Sequence, residues 1–237
     1  MKILIISPHT DDGELGAGGT ISKYIREGNE VFHAVFSCCE ESLPDFCNPN
    51  TLEKEFLAAQ SASGIKKENI FIYRNKVRHF PEVRREILEC LVEIKKAIRP
   101  DLVFSPSIDD FHQDHNVLAM ECIRCFKSDS SILSYELPWN NLVFRKSCFV
   151  KLKKEDVERK WNALTSYTSQ FELNRPYFSK EYTFAVAKMK GIECGSEYAE
   201  SFEVIRWIIS DNIFSESERP IRNLGVMTCK ISPNFRK

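Results

Sequence analysis

The sequence predicts an α/β fold: a Rossmann-like, mostly parallel sheet with helices on both faces, in a single domain. Three observations carry that expectation. Short β-branched or aromatic runs alternate with longer stretches of helical apolar spacing along most of the chain. Turn residues punctuate the alternation, notably Gly28, Gly64 and Pro100. At 237 residues, the chain is long enough to bury one substantial core.

The elements follow in order. Lys2 to Ser7 is an apolar run of strand length ending at Pro8, and Gly19 to Glu27 has helix-compatible spacing before Gly28. Asn29 to Ser37 reads as a second strand, and Leu52 to Ser63 as an Ala- and Glu-bearing helix closed by Gly64. Asn69 to Tyr73 is a third strand. Pro81 to Ile98 is a helix with Val83, Ile87, Leu91 and Ile94 on one stripe, and Asp101 to Ser105 a fourth strand after the turn at Pro100. A helix from Val117, strands near Ile132 to Leu137 and at Cys148 to Leu152, and a helix from Glu155 through Tyr167 continue the pattern. Phe178 to Lys190 and Tyr198 to Ile209 are later elements, and from Ser210 the periodicity is weak. Right-handed crossovers place the loops that follow parallel strands along one sheet edge, where ligands bind.

Bulk properties exclude some partners. With 33 basic against 34 acidic residues, the net charge of -1 gives no overall pull toward nucleic acid or an anionic membrane. The apolar run near the N-terminus is too short for a signal core or a membrane span, so a cytoplasmic protein is expected. The nine cysteines are scattered, which reads as reduced and mostly buried thiols. Cys122 and Cys125 have CxxC spacing, but they sit in a helical stretch with no second CxxC and read as packing residues.

Two motifs carry chemistry, each after a predicted strand. The first, Pro8-His9-Thr10-Asp11-Asp12-Gly13-Glu14-Leu15-Gly16-Ala17-Gly18-Gly19-Thr20, packs an imidazole and two carboxylates into four residues. Such a cluster needs compensation, which a divalent cation supplies; a polar turn with Asp11 or Asp12 capping the next helix is the plain alternative. The glycines do not have dinucleotide-loop spacing, and Asp11, Asp12 and Glu14 would repel a pyrophosphate. They are expected to let the backbone turn sharply and approach a substrate.

The second motif is Pro106-Ser107-Ile108-Asp109-Asp110-Phe111-His112-Gln113-Asp114-His115, which holds two of the five histidines. On a loop or first helical turn, His112 and His115 share one cavity and Asp114 accepts an imidazole hydrogen bond; a solvated surface loop is the alternative. Two histidines and a carboxylate suit catalytic zinc and equally non-haem iron(II), so residue identity alone does not choose the metal. The additional Asp11 and His112 favour hydrolysis, by supplying a base and an oxyanion donor.

These motifs make the chain resemble the PIG-L/LmbE-like family of zinc-dependent N-deacetylases. His-x-Asp-Asp running into Leu-Gly-x-Gly-Gly-Thr falls at 9 to 20, and His-x-Asp-His at 112 to 115. The likeness extends through Arg99-Pro100-Asp101-Leu102-Val103-Phe104, Ser134-Tyr135-Glu136 and Tyr167-Thr168-Ser169-Gln170 to Tyr198-Ala199-Glu200-Ser201-Phe202. It covers residues 1–208 as one deacetylase domain, leaving 209–237 as a tail of unknown role. The resemblance implies that His9, Asp12 and His115 hold Zn2+, that Asp11 is the base, that His112 stabilises the oxyanion, and that Asp114 orients His112. It also implies an acetamido sugar or sugar conjugate as substrate. Thr10 stands where the family usually has proline, which bears on loop geometry more than on chemistry.

Substrate contacts are expected from Arg78, in the loop after the third strand, and from Tyr135 and Glu136 after the fifth. Arg74 and Arg84 read as solvated, His33 and His79 as packing or surface residues, and Trp139 equally as core or sugar-stacking. The competing functions are a non-haem iron enzyme using the same His/His/Asp triad and a catalytically silent carbohydrate-binding domain. The sequence does not fix the oligomeric state, and the tail after Ile209 leaves a homo-oligomer or a cover over the substrate open.

Overall fold

The computed structural model describes residues 1–43 and 47–209. Apart from Ile209, the tail assigned to 209–237 therefore lies outside the described residues, as does Cys229. A seven-stranded sheet is built from β1 (Lys2–Ser7), β2 (Glu30–Val35), β3 (Ile70–Ile72), β4 (Leu102–Pro106), β5 (Ser131–Tyr135), β6 (Cys148–Leu152) and β7 (Tyr198–Arg206). Their spatial order is β3-β2-β1-β4-β5-β7-β6. Every pair from β3 to β5 is parallel, whereas β7 runs antiparallel to both β5 and β6.

The helices are α1 (Asp12–Arg26), α2 (Thr51–Ser63), α3 (Arg84–Ile98), α4 (Gln113–Phe126), α5 (Lys154–Leu164), α6 (Thr168–Glu172) and α7 (Lys180–Glu193). Alternation along β1 explains the two-sided core. Ile3 and Ile5 face a cluster with Ala17 and Ile21 of α1, Phe56 of α2 and Val157 of α5. Leu4 and Ile6 face the opposite cluster, with Ile87 and Leu91 of α3 and Leu118 and Cys122 of α4. The four β1 residues are 0% exposed, as expected of a central parallel strand.

Two helices begin earlier than their apolar spacing predicts. α1 starts at Asp12, not Gly19, and α4 at Gln113, not Val117. The first turn of α1 opens with Asp12, Gly13 and Glu14 and that of α4 with Gln113, Asp114 and His115, so neither begins on an apolar stripe. The glycines of the first motif are therefore helical, and close packing accounts for them better than the sharp turn expected. A Cβ at Gly13 would lie 2.6 Å from His33 Nε2 and Ser7 Oγ, and one at Gly19 would lie 2.5 Å from Leu152 Cδ1. At Gly16 it would run into the Tyr135 ring. The predicted helix from Glu155 to Tyr167 stops at Leu164, and Tyr167 takes the N-cap position of α6.

Among the described residues, Cys38, Cys39, Cys47, Cys122, Cys125, Cys148 and Cys194 form no disulfide. Cys122 and Cys125 are buried on α4, and burial pushes both thiols up, which fits their reading as packing residues. No helix among the described residues is long and apolar enough to cross a membrane.

Candidate active site

The neighbours β1 and β4 form the point where the strand order reverses: the chain proceeds from β1 outward to β2 and from β4 outward to β5. Loops leaving the carboxyl ends of two such strands diverge and open a crevice. Both motifs sit there. His9, Thr10 and Asp11 link β1 to α1, and residues 107 to 112 link β4 to α4.

Within this crevice three donor atoms converge. Asp12 Oδ2 lies 3.2 Å from His9 Nδ1 and 3.3 Å from His115 Nε2, and the two ring nitrogens are 3.0 Å apart. The other ring nitrogens meet carboxylates: His9 Nε2 is 3.2 Å from Asp114 Oδ2, and His115 Nδ1 is 2.7 Å from Asp110 Oδ2. Those carboxylates hold a proton on each outward nitrogen, so the inward nitrogens present lone pairs. Three electron-rich atoms this close need a cation between them. Their spacing fits the edges, about 3.3 Å, of a tetrahedron with arms of ~2.0–2.1 Å.

The nearest ring nitrogens of His9, His112 and His115 also lie within 4.8 Å of one another, a group that could hold a metal. His112 differs from the other two in its hydrogen bonding. Its Nδ1 accepts the Asp114 backbone N–H at 3.2 Å, capping α4, while its own backbone N–H donates to Asp110 Oδ1 at 2.8 Å. Cap geometry thus fixes the tautomer: Nδ1 accepts and Nε2 keeps the proton. Burial and the neighbouring His115 and His9 push the His112 pKa down to about 4. The ring is therefore neutral near pH 7, with its one donor on Nε2.

Asp11 and Asp12 are pulled apart electrostatically. Burial and the adjacent Asp12 charge push Asp11 up to about 6. Burial pushes Asp12 the same way, yet His115 and His9 draw it down to about 2. Asp11 occupies the N-cap position of α1 without a side-chain cap bond, so its carboxylate is left to face the crevice. Asp12 Oδ2 accepts the His9 N–H at 2.9 Å, which pins the tight loop. The Tyr167 hydroxyl donates to the Thr10 carbonyl at 2.5 Å, holding the loop where proline is usual. Behind α1, buried Glu14 meets Gln60 and lies 3.3 Å from the Tyr167 hydroxyl; Gln60 Oε1 lies 2.7 Å from His33 Nδ1.

The crevice encloses about 220 Å³ and is lined by His9, Asp11, Asp12, His112 and His115. Five residues singled out from the sequence are therefore together, and Asp114 stands directly behind His9. The Asp114 carboxylate does not reach His112: it accepts from His9 and from the backbone N–H groups of Arg78 (2.5 Å) and Phe80 (3.2 Å). Arg78 contributes that backbone N–H from a left-handed φ of 69°, and it does not line the crevice. Tyr135 is 0% exposed and donates to the Ile6 carbonyl at 2.9 Å, a core role. Glu136 pairs with Lys190 at 2.7 Å in a small adjoining cavity.

Sequence reading missed Asp110, although it lies in the second motif, because two consecutive aspartates gave no sign of which one faces His115. It also missed Asn140, Arg175 and Tyr177, which line the crevice from segments without periodic signal. Trp139, left between two readings, is in the crevice wall and stacks on Tyr177 at 3.8 Å and 10°.

A family model described as PIG-L: GlcNAc-PI de-N-acetylase matches residues 4–125, which include both motifs. Among solved structures, the conserved protein TT1542 from Thermus thermophilus is 25% identical, with a TM-score of 0.71, covering 91% of this chain and 99% of that one. The N,N'-diacetylchitobiose deacetylase from Pyrococcus horikoshii is 22% identical, with a TM-score of 0.67, covering 86% and 83%. GalB, the 4-carboxy-2-hydroxymuconate hydratase from Pseudomonas putida, is 17% identical, with a TM-score of 0.71, covering 90% and 99%. A deacetylase and a hydratase thus share this fold, and the reaction has to be argued from the site.

Proposed function

The chain belongs to the PIG-L family of GlcNAc-PI de-N-acetylases, and from that premise we propose that it hydrolyses the N-acetyl group of an acetamido sugar or sugar conjugate with the help of a divalent metal. One observation carries the reading: the lone-pair atoms of His9, Asp12 and His115 meet within 3.3 Å of one another, and the Asp11 carboxylate lines the same crevice.

We assign the metal to His9 Nδ1, Asp12 Oδ2 and His115 Nε2. His112 is left out because its Nδ1 is already engaged by the α4 cap. When bound, the metal supplies Lewis acidity, which polarises a carbonyl and acidifies water. Two imidazoles, a carboxylate and an open fourth position suit zinc.

The protein's own residues do the rest. Asp11, held near neutral pH, takes a proton from the water that attacks the acetamide carbonyl carbon. His112 donates its Nε2 proton in a hydrogen bond to the carbonyl oxygen as negative charge builds there, a kind of contact typically worth ~2.7–4 kcal/mol. Neutrality does not disable this, because the tautomer leaves a donor on Nε2. Asp11 then returns its proton to the amide nitrogen, the C–N bond breaks, and acetate and a free amine leave. Asp114 and Asp110 act through His9 and His115 by fixing their orientation.

The test is acetate release across a panel of acetamido sugars and their conjugates, with zinc-loaded and chelated protein. Metal-dependent release of one acetate per free amine is expected. Release that survives complete chelation, or turnover of the sugars with no acetate, would overturn the reading.

A further inference from the structure

A series of hydrogen bonds runs behind the crevice through residues that do not line it. Ser7, His33, Gln60, Glu14 and Tyr167 are each fully buried, and they come from β1, β2, α2, α1 and the N-cap of α6. Ser7 Oγ lies 2.7 Å from His33 Nε2, and His33 Nδ1 lies 2.7 Å from Gln60 Oε1. Gln60 Nε2 donates to Glu14 Oε1, and Glu14 Oε2 lies 3.3 Å from the Tyr167 hydroxyl. The series ends where that hydroxyl donates to the Thr10 carbonyl at 2.5 Å. It therefore leaves the backbone at Ser7 and returns to it at Thr10, bracketing the short segment that carries His9.

Stability alone does not call for this arrangement. Interlocked polar side chains in a core contribute little net over well-packed apolar ones, and each becomes costly when its partner is lost. What they supply is a defined geometry. A carbonyl oxygen carries no proton, so the Tyr167 proton points at Thr10 and holds that peptide group by its oxygen. The N–H of the same peptide group belongs to Asp11, and the Asp11 carboxylate accepts it. One rigid plane thus links the buried hydroxyl to the carboxylate in the crevice. His9, Asp12 and Arg175 act on that carboxylate through their charge, whereas the peptide group sets where it points. The metal-ligand atoms are held by other means: His9 by Asp114 and by its own N–H on Asp12, and His115 by Asp110.

We propose that Tyr167 is a positioning residue for the base: its hydroxyl, held by the series from Ser7, fixes the Thr10–Asp11 peptide group and through it the direction of the Asp11 carboxylate. The proposal rests on the deacetylase reading above for what Asp11 does, though not for how Asp11 is held.

Tyr167→Phe removes one oxygen and keeps the ring. In zinc-loaded protein, kcat per bound metal on an acetamido sugar that wild type hydrolyses should fall about ten- to a hundredfold, the scale of a displacement of about 1 Å. KM and metal content should not change. The effect should also be absent once the base is gone, so that in the Asp11→Asn background Tyr167→Phe lowers the residual kcat no further. Carbon-13 NMR of the zinc-loaded proteins gives a readout independent of turnover. The Thr10 carbonyl and Asp11 carboxyl resonances should both move in Tyr167→Phe, while the Asp12 carboxyl resonance stays in place. If no sugar releases acetate while those two resonances move, the deacetylase reading fails and the positioning of Asp11 stands. An Asp11 resonance unmoved by Tyr167→Phe, a lower Tm with kcat per bound metal unchanged, or an equal fall in kcat with and without the Asp11 carboxylate overturns the proposal.

Discussion

Asp11 and Asp12 have identical side chains at adjacent positions, and their surroundings give them opposite properties. Asp12 is drawn well below the usual carboxylate range by two histidines, as a ligand must be, whereas Asp11 is lifted toward neutrality by burial and by its neighbour. Pairs pushed apart in this way divide the labour between ligand and base. Asp11→Asn should keep metal and fold while turnover falls ~10²–10⁴-fold; Asp12→Asn should lose the metal. Metal content and acetate release measured on both variants check this, and loss of metal from the first with retention in the second would reverse the assignment. Glu14 makes a separate prediction. Burial raises it to about 8, so the folded state holds a proton that the unfolded state, titrating near ~4.3, releases. Between these values the native state binds more protons, and stability falls as pH rises, by up to ~1.4 kcal/mol per unit. Glu14→Gln should flatten urea midpoints between about pH 5 and 8 relative to wild type, and parallel curves would show that Glu14 is ionised in the fold. At this scale the sequence declares residue types but not partners. The carboxylate of Asp114 could have met either histidine, and only the packing of α4 beside residues 78 to 80 sends it to His9.

α1 shows most clearly what element-level reading captures and what it loses. The strands were legible because a central parallel strand is apolar throughout, and β1 and β6 lie where their runs predict. The start of α1 was not, since glycine is a poor helix former and the first turn carries ligands in place of an apolar stripe. Tertiary contact overrides propensity there. An element was expected at Tyr198 to Ile209, but the antiparallel direction of β7 and its insertion between β5 and β6 were not legible, because strand order depends on long-range pairing. The glycines can be tested by a substitution in which two effects oppose each other. Gly→Ala inside a helix ordinarily stabilises by roughly 0.5–1 kcal/mol. At Gly16 the added methyl would meet the Tyr135 ring, which is fully buried and tied to Ile6. Overpacking of that kind costs roughly 1–3 kcal/mol. Packing should win, so Gly16→Ala is expected to lower Tm; a rise would mean that the Tyr135 ring moves aside at little cost.

At the scale of the whole molecule, the site is a consequence of strand order. His9 and His115 are 106 residues apart and meet only because β1 and β4 are parallel neighbours, with their carboxyl ends at the same edge. The proposed metal site therefore does not exist in the unfolded chain, and a metal that binds only the native state adds stability by mass action, ~2.7 kcal/mol at a hundredfold excess over Kd. For a domain of this size that corresponds to roughly 5–10 °C in Tm. Chelation of wild type should lower Tm by an amount of that order. His115→Ala removes one donor while leaving β1 and β4 paired, so its Tm should be insensitive to chelation. The nine cysteines could bind metal in the unfolded state and mask the effect, and comparing the two proteins under identical chelation cancels that contribution. Equal Tm shifts in both would place the stabilising metal somewhere other than between β1 and β4, whereas a shift confined to wild type ties the metal, the two motifs and the strand order to one structural cause.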